Sequence, residues 1–215
     1  PNSAKKDKVN AQIGVLYYRL KDYTKALDYF YALLKKDPKS PESTETAIPT
    51  IKNILLAQGK TDEWETIAAQ YGVTVDKNEI EETMFNNIEN YYVTKQNCDL
   101  SLPECEKYLS KFPNGEHVLD VNFWSAECNY SKGNYDKALP GYEFVLARAN
   151  GSYTEKATTK AAYIYFKSNR FEEALTLYKK LQELDADPTT KFNAKINALR
   201  CAWKAKKYED AIEQA

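Results

Sequence analysis

Four stretches of the chain rewrite one phrase. LKDYTKALDYFYALL begins at Leu20, KGNYDKALPGYEFVL at Lys132, SNRFEEALTLYKKL at Ser168, and KKYEDAIEQA closes the chain. Aligned on Ala26, Ala138, Ala174 and Ala211, the last three copies are spaced by 36 and 37 residues, and the 112 residues between the first two make close to three such periods. Two weaker copies therefore fall at Trp64, in KTDEWETIAAQYG, and at Ser101, in LSLPECEKYLSKFP. Self-similarity at this period means a stack of supersecondary units in which each buries its apolar face against its neighbours.

Each unit reads as two amphipathic helices. Val9, Ile13, Leu16, Tyr17 and Leu20 mark a helical stripe before Ala26, and Leu27, Phe30, Leu33 and Leu34 mark another after it. The polar segments LKD, KGN, SNR and KAK are the turns between them. Asn134 is placed to cap its second helix, Pro38 and Pro113 stand where second helices must end, and Pro140 should bend its helix slightly. The approximate repeats are 7–38, 45–76, 82–113, 119–150, 155–186 and 192–215, the second divergent.

The pattern resembles the tetratricopeptide repeat. Ile13, Gly14, Tyr17, Ala26, Phe30 and Pro38 match its positions in the first unit, Ala126, Ala138 and Tyr142 in the fourth, and Ala161, Ala162, Tyr165, Ala174 and Tyr178 in the fifth. The small residues allow helix axes to approach within about 8–10 Å, with Gly14 facing Ala26 and Ala126 facing Ala138. Lys52 and Trp64 depart from the pattern in the second unit, Glu89 and Ser101 in the third. The resemblance implies an all-α, right-handed superhelical solenoid of antiparallel helix pairs, about six repeats long. The period near 37 exceeds the family's usual 34. Runs such as YLSKFPNGEHVLDVNFWSAECNYSKGNYDKAL look most like the bacterial envelope branch, the periplasmic repeat proteins of outer-membrane assembly and Tol-Pal coordination. That likeness would place the protein in the periplasm, with the cytoplasm as the alternative, since cysteine usage does not decide the compartment. Pro1, which falls one period before Pro38, and Ala215, which falls within a second helix, lead us to expect a piece of a longer array, with the apolar faces near Ile196, Ala202 and Ile212 wanting cover.

Chemistry of other kinds is hard to find. The lone His117 follows FPNGE in an inter-repeat turn without a second imidazole or a zinc-spaced cysteine, so no metal site is expected. Glu81-Glu82 and Glu172-Glu173 point about 100° apart on a helix and read as solvated faces, not acid/base pairs. Seven scattered glycines form no phosphate loop. With 30 Lys and Arg against 31 Asp and Glu, the chain lacks the basic excess of a nucleic-acid binder, and no apolar run approaches the roughly 20 residues that span a bilayer. Neither a cofactor nor catalysis by this segment is expected.

Cys128 and Cys201 occupy equivalent places two repeats apart, and Cys98 and Cys105 lie nearly two helical turns apart, both beyond disulfide reach. The reading favours buried thiols, with a Cys105–Cys128 bridge between neighbouring helices as the alternative. Asn129-Tyr-Ser and Asn150-Gly-Ser match the glycosylation pattern, the first inside a predicted helix.

Function in such an array belongs to the concave face lined by first helices. Register assigns to it Asn86, Asn87 and Asn90; Phe123, Trp124, Glu127 and Tyr130; Lys156, Lys160, Tyr163 and Lys167; and Asn193, Asn197 and Arg200. Amides can pair with an extended backbone, aromatics can anchor, and lysines attract carboxylates. The competing reading is that Phe123, Trp124 and Tyr130 only pack between helices. The family's clamp for a peptide C-terminus is matched in type by Asn90, Lys156 and Lys160, but Asn86 stands where a lysine is expected and Trp124 where an asparagine is expected. The resulting expectation is a scaffold for a protein or peptide partner of acidic character, docked near Asn90, Tyr130, Tyr163, Lys160 and Lys167. A regulatory or substrate-recruiting segment of a larger enzyme is the alternative.

Overall fold

The computed structural model describes residues 2–148, 151–184 and 186–215. Pro1 and Asn150, both singled out above, lie outside the described residues. Among the described residues there are twelve α-helices and no strand. In chain order they are α1 (Asn2–Arg19) and α2 (Tyr23–Lys36), α3 (Ile48–Ala57) and α4 (Thr61–Tyr71), α5 (Lys77–Glu89) and α6 (Cys98–Lys111), α7 (Val118–Ser131) and α8 (Tyr135–Arg148), α9 (Thr154–Lys167) and α10 (Phe171–Glu183), α11 (Pro188–Lys204) and α12 (Tyr208–Gln214), numbered below as six pairs by their succession along the chain. Two compact units divide the chain, with the boundary inside α5 after Asn87. In the first, α1 packs on α2 and α3 on α4; in the second, each helix from α6 to α12 packs on the next in order.

One turn is used six times. Lys21, Gly59, Gln96, Gly133, Asn169 and Lys206 all adopt left-handed backbone, with φ of 60°, 71°, 48°, 76°, 59° and 60°. The next N–H then reaches back five residues, from Asp22 to the Tyr17 carbonyl at 3.0 Å, Lys60 to Leu55 at 2.8 Å, and Asn134 to Asn129, Arg170 to Tyr165 and Lys207 to Ala202 at 2.9 Å each. This closes the C-terminus of the first helix. In the third pair Asn97 reaches back six residues, to Tyr91 at 2.8 Å, and the extra residue is absorbed by a π-helical turn, Asn90–Thr94. A second π-helical turn, Glu42–Ala47, leads into α3.

Five residues after each left-handed position stand Ala26, Trp64, Ser101, Ala138, Ala174 and Ala211. Each donates its N–H four residues back, at 3.0–3.1 Å, in the first turn of its second helix, and each is buried. The close approaches are specific. A side chain at Gly14 would meet the Phe30 ring at 2.8 Å, so Phe30 and not Ala26 is its nearest neighbour. A side chain at Gly141 would meet the Asn122 carbonyl at 2.7 Å and Ala126 Cβ at 2.9 Å. Gly141 thus shares with Ala138 the small-residue role in the fourth pair. The divergent second pair buries Trp64 with Ile51, Ile54 and Leu55, while Lys52 turns outward to Glu79 at 2.9 Å. Pro38 and Pro113 follow the ends of α2 and α6, and the Asn134 carbonyl accepts from Lys137 and Ala138 as a cap residue does.

The expected stripe of α1 is not its buried face. Ala11 and Gly14 are buried, whereas Val9, Leu16 and Leu20 are exposed, because α2 and the Glu42–Ala47 turn cover only one side of this helix. Ala202 is fully buried, although it was expected to want cover; Ile212 is exposed. Asn129 is buried and its side-chain amide donates to the Ser125 carbonyl at 3.0 Å, so it is not a glycosylation acceptor.

The cysteines also depart from expectation. Cys98 and Cys128 form a disulfide with a Cα separation of 5.3 Å, while Cys105 and Cys201 are buried free thiols. Cys98 lies in the first turn of α6 and Cys128 in the last turn of the adjacent α7, and neighbouring antiparallel helices bring those ends level. Cys105 sits about 10 Å further along α6, where its thiol meets Ser101 Oγ at 3.6 Å. Burial pushes the Cys105 and Cys201 thiols up to about 11, which makes both poor nucleophiles.

Two outcomes follow. Gly133→Ala, at a left-handed position with open space around it, should cost about 1–2 kcal/mol through backbone strain alone; an unchanged urea midpoint would show that the turn tolerates a side chain. Closing a loop of 30 residues should stabilise the fold by about 3–4 kcal/mol on the loop-closure argument. A Cys98→Ser/Cys128→Ser chain should accordingly melt well below the parent, and matching melting curves would remove the bridge from the stability account.

Candidate functional site

The first helices of the fourth and fifth pairs, α7 and α9, carry a continuous cluster of side chains. Its centre is Glu127, which accepts from Tyr142 Oη at 2.7 Å and pairs with Lys160 Nζ at 2.7 Å. Both charges are largely withdrawn from solvent, with side-chain exposures of 16% for Glu127 and 28% for Lys160. The Lys160 ammonium also lies 4.6 Å from the Tyr130 ring centre, on the ring's electron-rich face. A half-buried carboxylate with one cation and one phenol on it has its charge compensated within the protein.

Around this centre the rings form a chain. Tyr130 meets Tyr135, Tyr142 and Tyr163 at centroid distances of 5.3, 6.3 and 6.1 Å, and Tyr163 meets Tyr135 at 6.0 Å. Lys167 stands over Tyr163 at 5.8 Å. On the other side Phe123 stacks on Tyr153 at 4.1 Å, and Tyr153 donates to Asp120 Oδ1 at 2.6 Å. Trp124 stacks on Tyr92 at 5.3 Å. Offset and edge-on contacts of this kind add to simple burial. Phe123 and Trp124 are 4% and 7% exposed, so their role is packing. Tyr130, Tyr135 and Tyr163 are half-buried.

Six of the residues expected on the binding face, Phe123, Glu127, Tyr130, Lys160, Tyr163 and Lys167, are therefore joined in one network. Lys156 is exposed one turn before Lys160, Asn90 is exposed in the π-helical turn, and Arg200 is exposed on α11 with Asn197 Oδ1 at 3.4 Å. Asn86 is exposed in the first unit. The expectation that Lys160 waits for an acidic partner is corrected, since Glu127 already holds it. Sequence reasoning missed Tyr135 and Tyr153 and read Tyr142 only as a repeat position. Tyr135 stands in the same place as Tyr23, Phe171 and Tyr208, two residues after the left-handed turn residue, and pairs across the turn with Tyr130 as those do with Tyr18, Phe166 and Trp203. That recurrence was the available signal. In the first unit a groove of 690 Å³ lies between α1 and the Glu42–Ala47 turn, lined by Lys8, Gln12, Leu16, Arg19, Glu42 and Glu45.

Residues 12–40 and residues 126–190 match family profiles described as tetratricopeptide repeat, and those stretches are such repeats. No curated protein matches the sequence. Among solved structures, PilW, a widely conserved type IV pilus biogenesis factor, is similar at 18% identity over 97% of this chain and 90% of its own, with a TM-score of 0.43. Pseudomonas aeruginosa pilF is similar at 11% identity over 100% and 90%, with a TM-score of 0.47. YrrB, a TPR protein with an unusual peptide-binding site, is similar at 17% identity over 86% and 90%, with a TM-score of 0.42.

The phenols make the second unit sensitive to alkali. Burial is the first cause of a raised pKa at Tyr92 and Tyr178, each pushed up to about 12, and it also raises Tyr130 and Tyr142; at Tyr142 the facing Glu127 carboxylate adds to it. A group whose folded pKa lies above its unfolded value of about 10 contributes stability that is complete below that value and is lost as pH rises through the folded one. Tyrosinate absorbance and loss of helix ellipticity should therefore rise together between about pH 10 and 12. Full tyrosine titration near pH 10 with ellipticity intact would mean that these phenols are solvated.

Proposed function

We propose that the chain is a non-catalytic scaffold that holds a protein or peptide segment on the first-helix face of its second unit. The observation that carries this reading is the half-exposed Tyr130, Tyr135 and Tyr163 cluster, fixed by tilted and edge-to-face ring contacts and by the half-buried Glu127–Lys160 pair. Rigid, partly exposed aromatic rings gain contact area at small entropic cost, which is why such groups dominate binding energies at interfaces. Lys156 and Lys167 flank the rings as exposed cations, and Asn90 offers an amide. The tetratricopeptide repeats support a binding role on the same face. The Cys98–Cys128 disulfide supports an oxidising compartment, because such bridges persist outside the reducing cytosol, and this agrees with the envelope-like character of the sequence.

A random peptide library panned on the chain, followed by titration of the best binder, tests the assignment. Tyr163→Ala and Lys156→Glu/Lys167→Glu variants, checked for native ellipticity, should each weaken binding by about tenfold. Parental affinity in both would move the site off this face.

A further inference from the structure

The tyrosines of the second unit divide by what their hydroxyls do. Tyr142 donates to Glu127 Oε1 at 2.7 Å, Tyr153 to Asp120 Oδ1 at 2.6 Å, and Tyr165 to the Glu143 carboxylate. Among the described residues, no hydrogen-bond partner meets the hydroxyl of Tyr130, Tyr135 or Tyr163, the three half-buried rings that touch one another. The third ring sets this turn apart, since at the equivalent Phe166/Phe171 pair it is Lys204 of the next first helix that approaches, 5.3 Å from the Phe171 ring centre. Rings with centroids 5.3, 6.0 and 6.1 Å apart are in contact and leave no room between them for a cation. Lys160 and Lys167 already stand against two of them. The cluster is therefore not a cage for a quaternary ammonium group.

Beside Tyr135 lies a groove of 520 Å³ that also takes in Gly133, Asn134, Asp136, Lys137 and Lys167. A side chain placed on Gly133 would meet nothing within 4 Å, so the groove is open along the turn. Its polar character is one-sided. The last carbonyls of α7, at Cys128, Asn129 and Tyr130, already accept from Lys132, Asn134 and Gly133. Donors remain: the three phenols, and the exposed ammonium groups of Lys137 and Lys167, neither of which has an ion-pair partner among the described residues. Asp136 is the single carboxylate among the described lining residues, and the two lysines outweigh it. A strand or an ordinary loop laid here would bring N–H groups that need acceptors. A proline-rich segment brings none at its prolines. Its polyproline II backbone has no internal hydrogen bonds, leaves its carbonyls free to accept, and is already formed before it docks on aromatic side chains.

We propose that the cluster of Tyr130, Tyr135 and Tyr163, with this groove, takes a proline-rich segment of a partner protein in the polyproline II conformation, with acidic residues beside its prolines. The phenols donate to its carbonyls, its proline rings lie against the tyrosines, and its carboxylates meet Lys137 and Lys167. This assigns a partner class to the binding role proposed above and rests on that role.

Isothermal titration of the chain with three synthetic peptides tests the assignment: repeats of two prolines and a leucine flanked by glutamates, the same peptide with alanine in place of proline, and the proline peptide flanked by lysines. The glutamate-flanked proline peptide should bind, and each counterpart should bind about tenfold more weakly. A Tyr135→Phe/Tyr163→Phe chain keeps the rings and loses two donors, so its affinity for the first peptide should fall by about tenfold. In a Lys137→Glu/Lys167→Glu chain the lysine-flanked peptide should become the better ligand, which also shows that the variant is folded. Equal binding of the proline and alanine peptides would overturn the proposal, as would equal binding of the two flanked forms, parental affinity in the Tyr135→Phe/Tyr163→Phe chain, or no binding of the proline peptide at all. Failure of the partner class is separable from failure of the site. Library binders that lose affinity on Tyr163→Ala yet carry no prolines refute the partner class and leave the site standing, whereas absence of any such binder, together with silence from the proline peptide, refutes both.

Discussion

A single backbone conformation sets the phase of every helix pair. The left-handed residue at the turn and the N–H that reaches back across it fix where the second helix starts, and hence which residue comes round to the contact point five positions later. The chain needs a compact or well-accommodated residue there because the helix axes are close. Alanine serves at four of the six positions, serine at one, and at Trp64 the surrounding short helices make room for an indole. Only two of the six turn positions are glycine, and the others accept a left-handed side chain because the hydrogen bonds on either side hold them there.

That phase is what made the fold readable. The counted positions Trp64 and Ser101 share no residue type with their alanine counterparts, yet occupy the same hydrogen-bonded place in the first turn of a second helix. Periodicity carried information that residue identity did not. The features that escaped depend on how helices lie against one another. The spacing of Cys98 and Cys105 along one helix says nothing of which end of the antiparallel neighbour stands opposite, and Cys128 is found only when α6 and α7 are placed side by side. The π-helical turn at Asn90–Thr94 hides an extra residue without changing the repeat length, so no count reveals it. Val9, Leu16 and Leu20 follow helical spacing on a side of α1 that no described neighbour covers.

The side-chain network proposed as a binding face was legible as a set of residues but not as chemistry. Register collected Glu127, Tyr130, Lys160, Tyr163 and Lys167 onto adjacent helices correctly, and the structure joins them. What register could not supply was the pairing of Glu127 with Lys160, separated by 33 residues, which turns an apparent free cation into part of a neutral support. Residues 188–208 hold six cations and no acid, and of these Lys207 finds its partner on another helix, in Glu172 at 2.9 Å.

The covalent link between α6 and α7 also changes what the chain does under load. A pull applied on either side of it passes through the sulfur bridge and bypasses the chain between Cys98 and Cys128, a sequence separation of 30. Those residues, which include most of α6 and α7 and the floor of the tyrosine cluster, carry no tension while the bridge is intact. At the roughly 3.3–3.6 Å that an extended residue spans, about 100 Å of contour is withheld from extension. The bridged segment would then behave as a fixed knot in an otherwise extensible string of helices, with Phe123 and Glu127 inside the knot and the tyrosines they support on the strand of chain that leaves it.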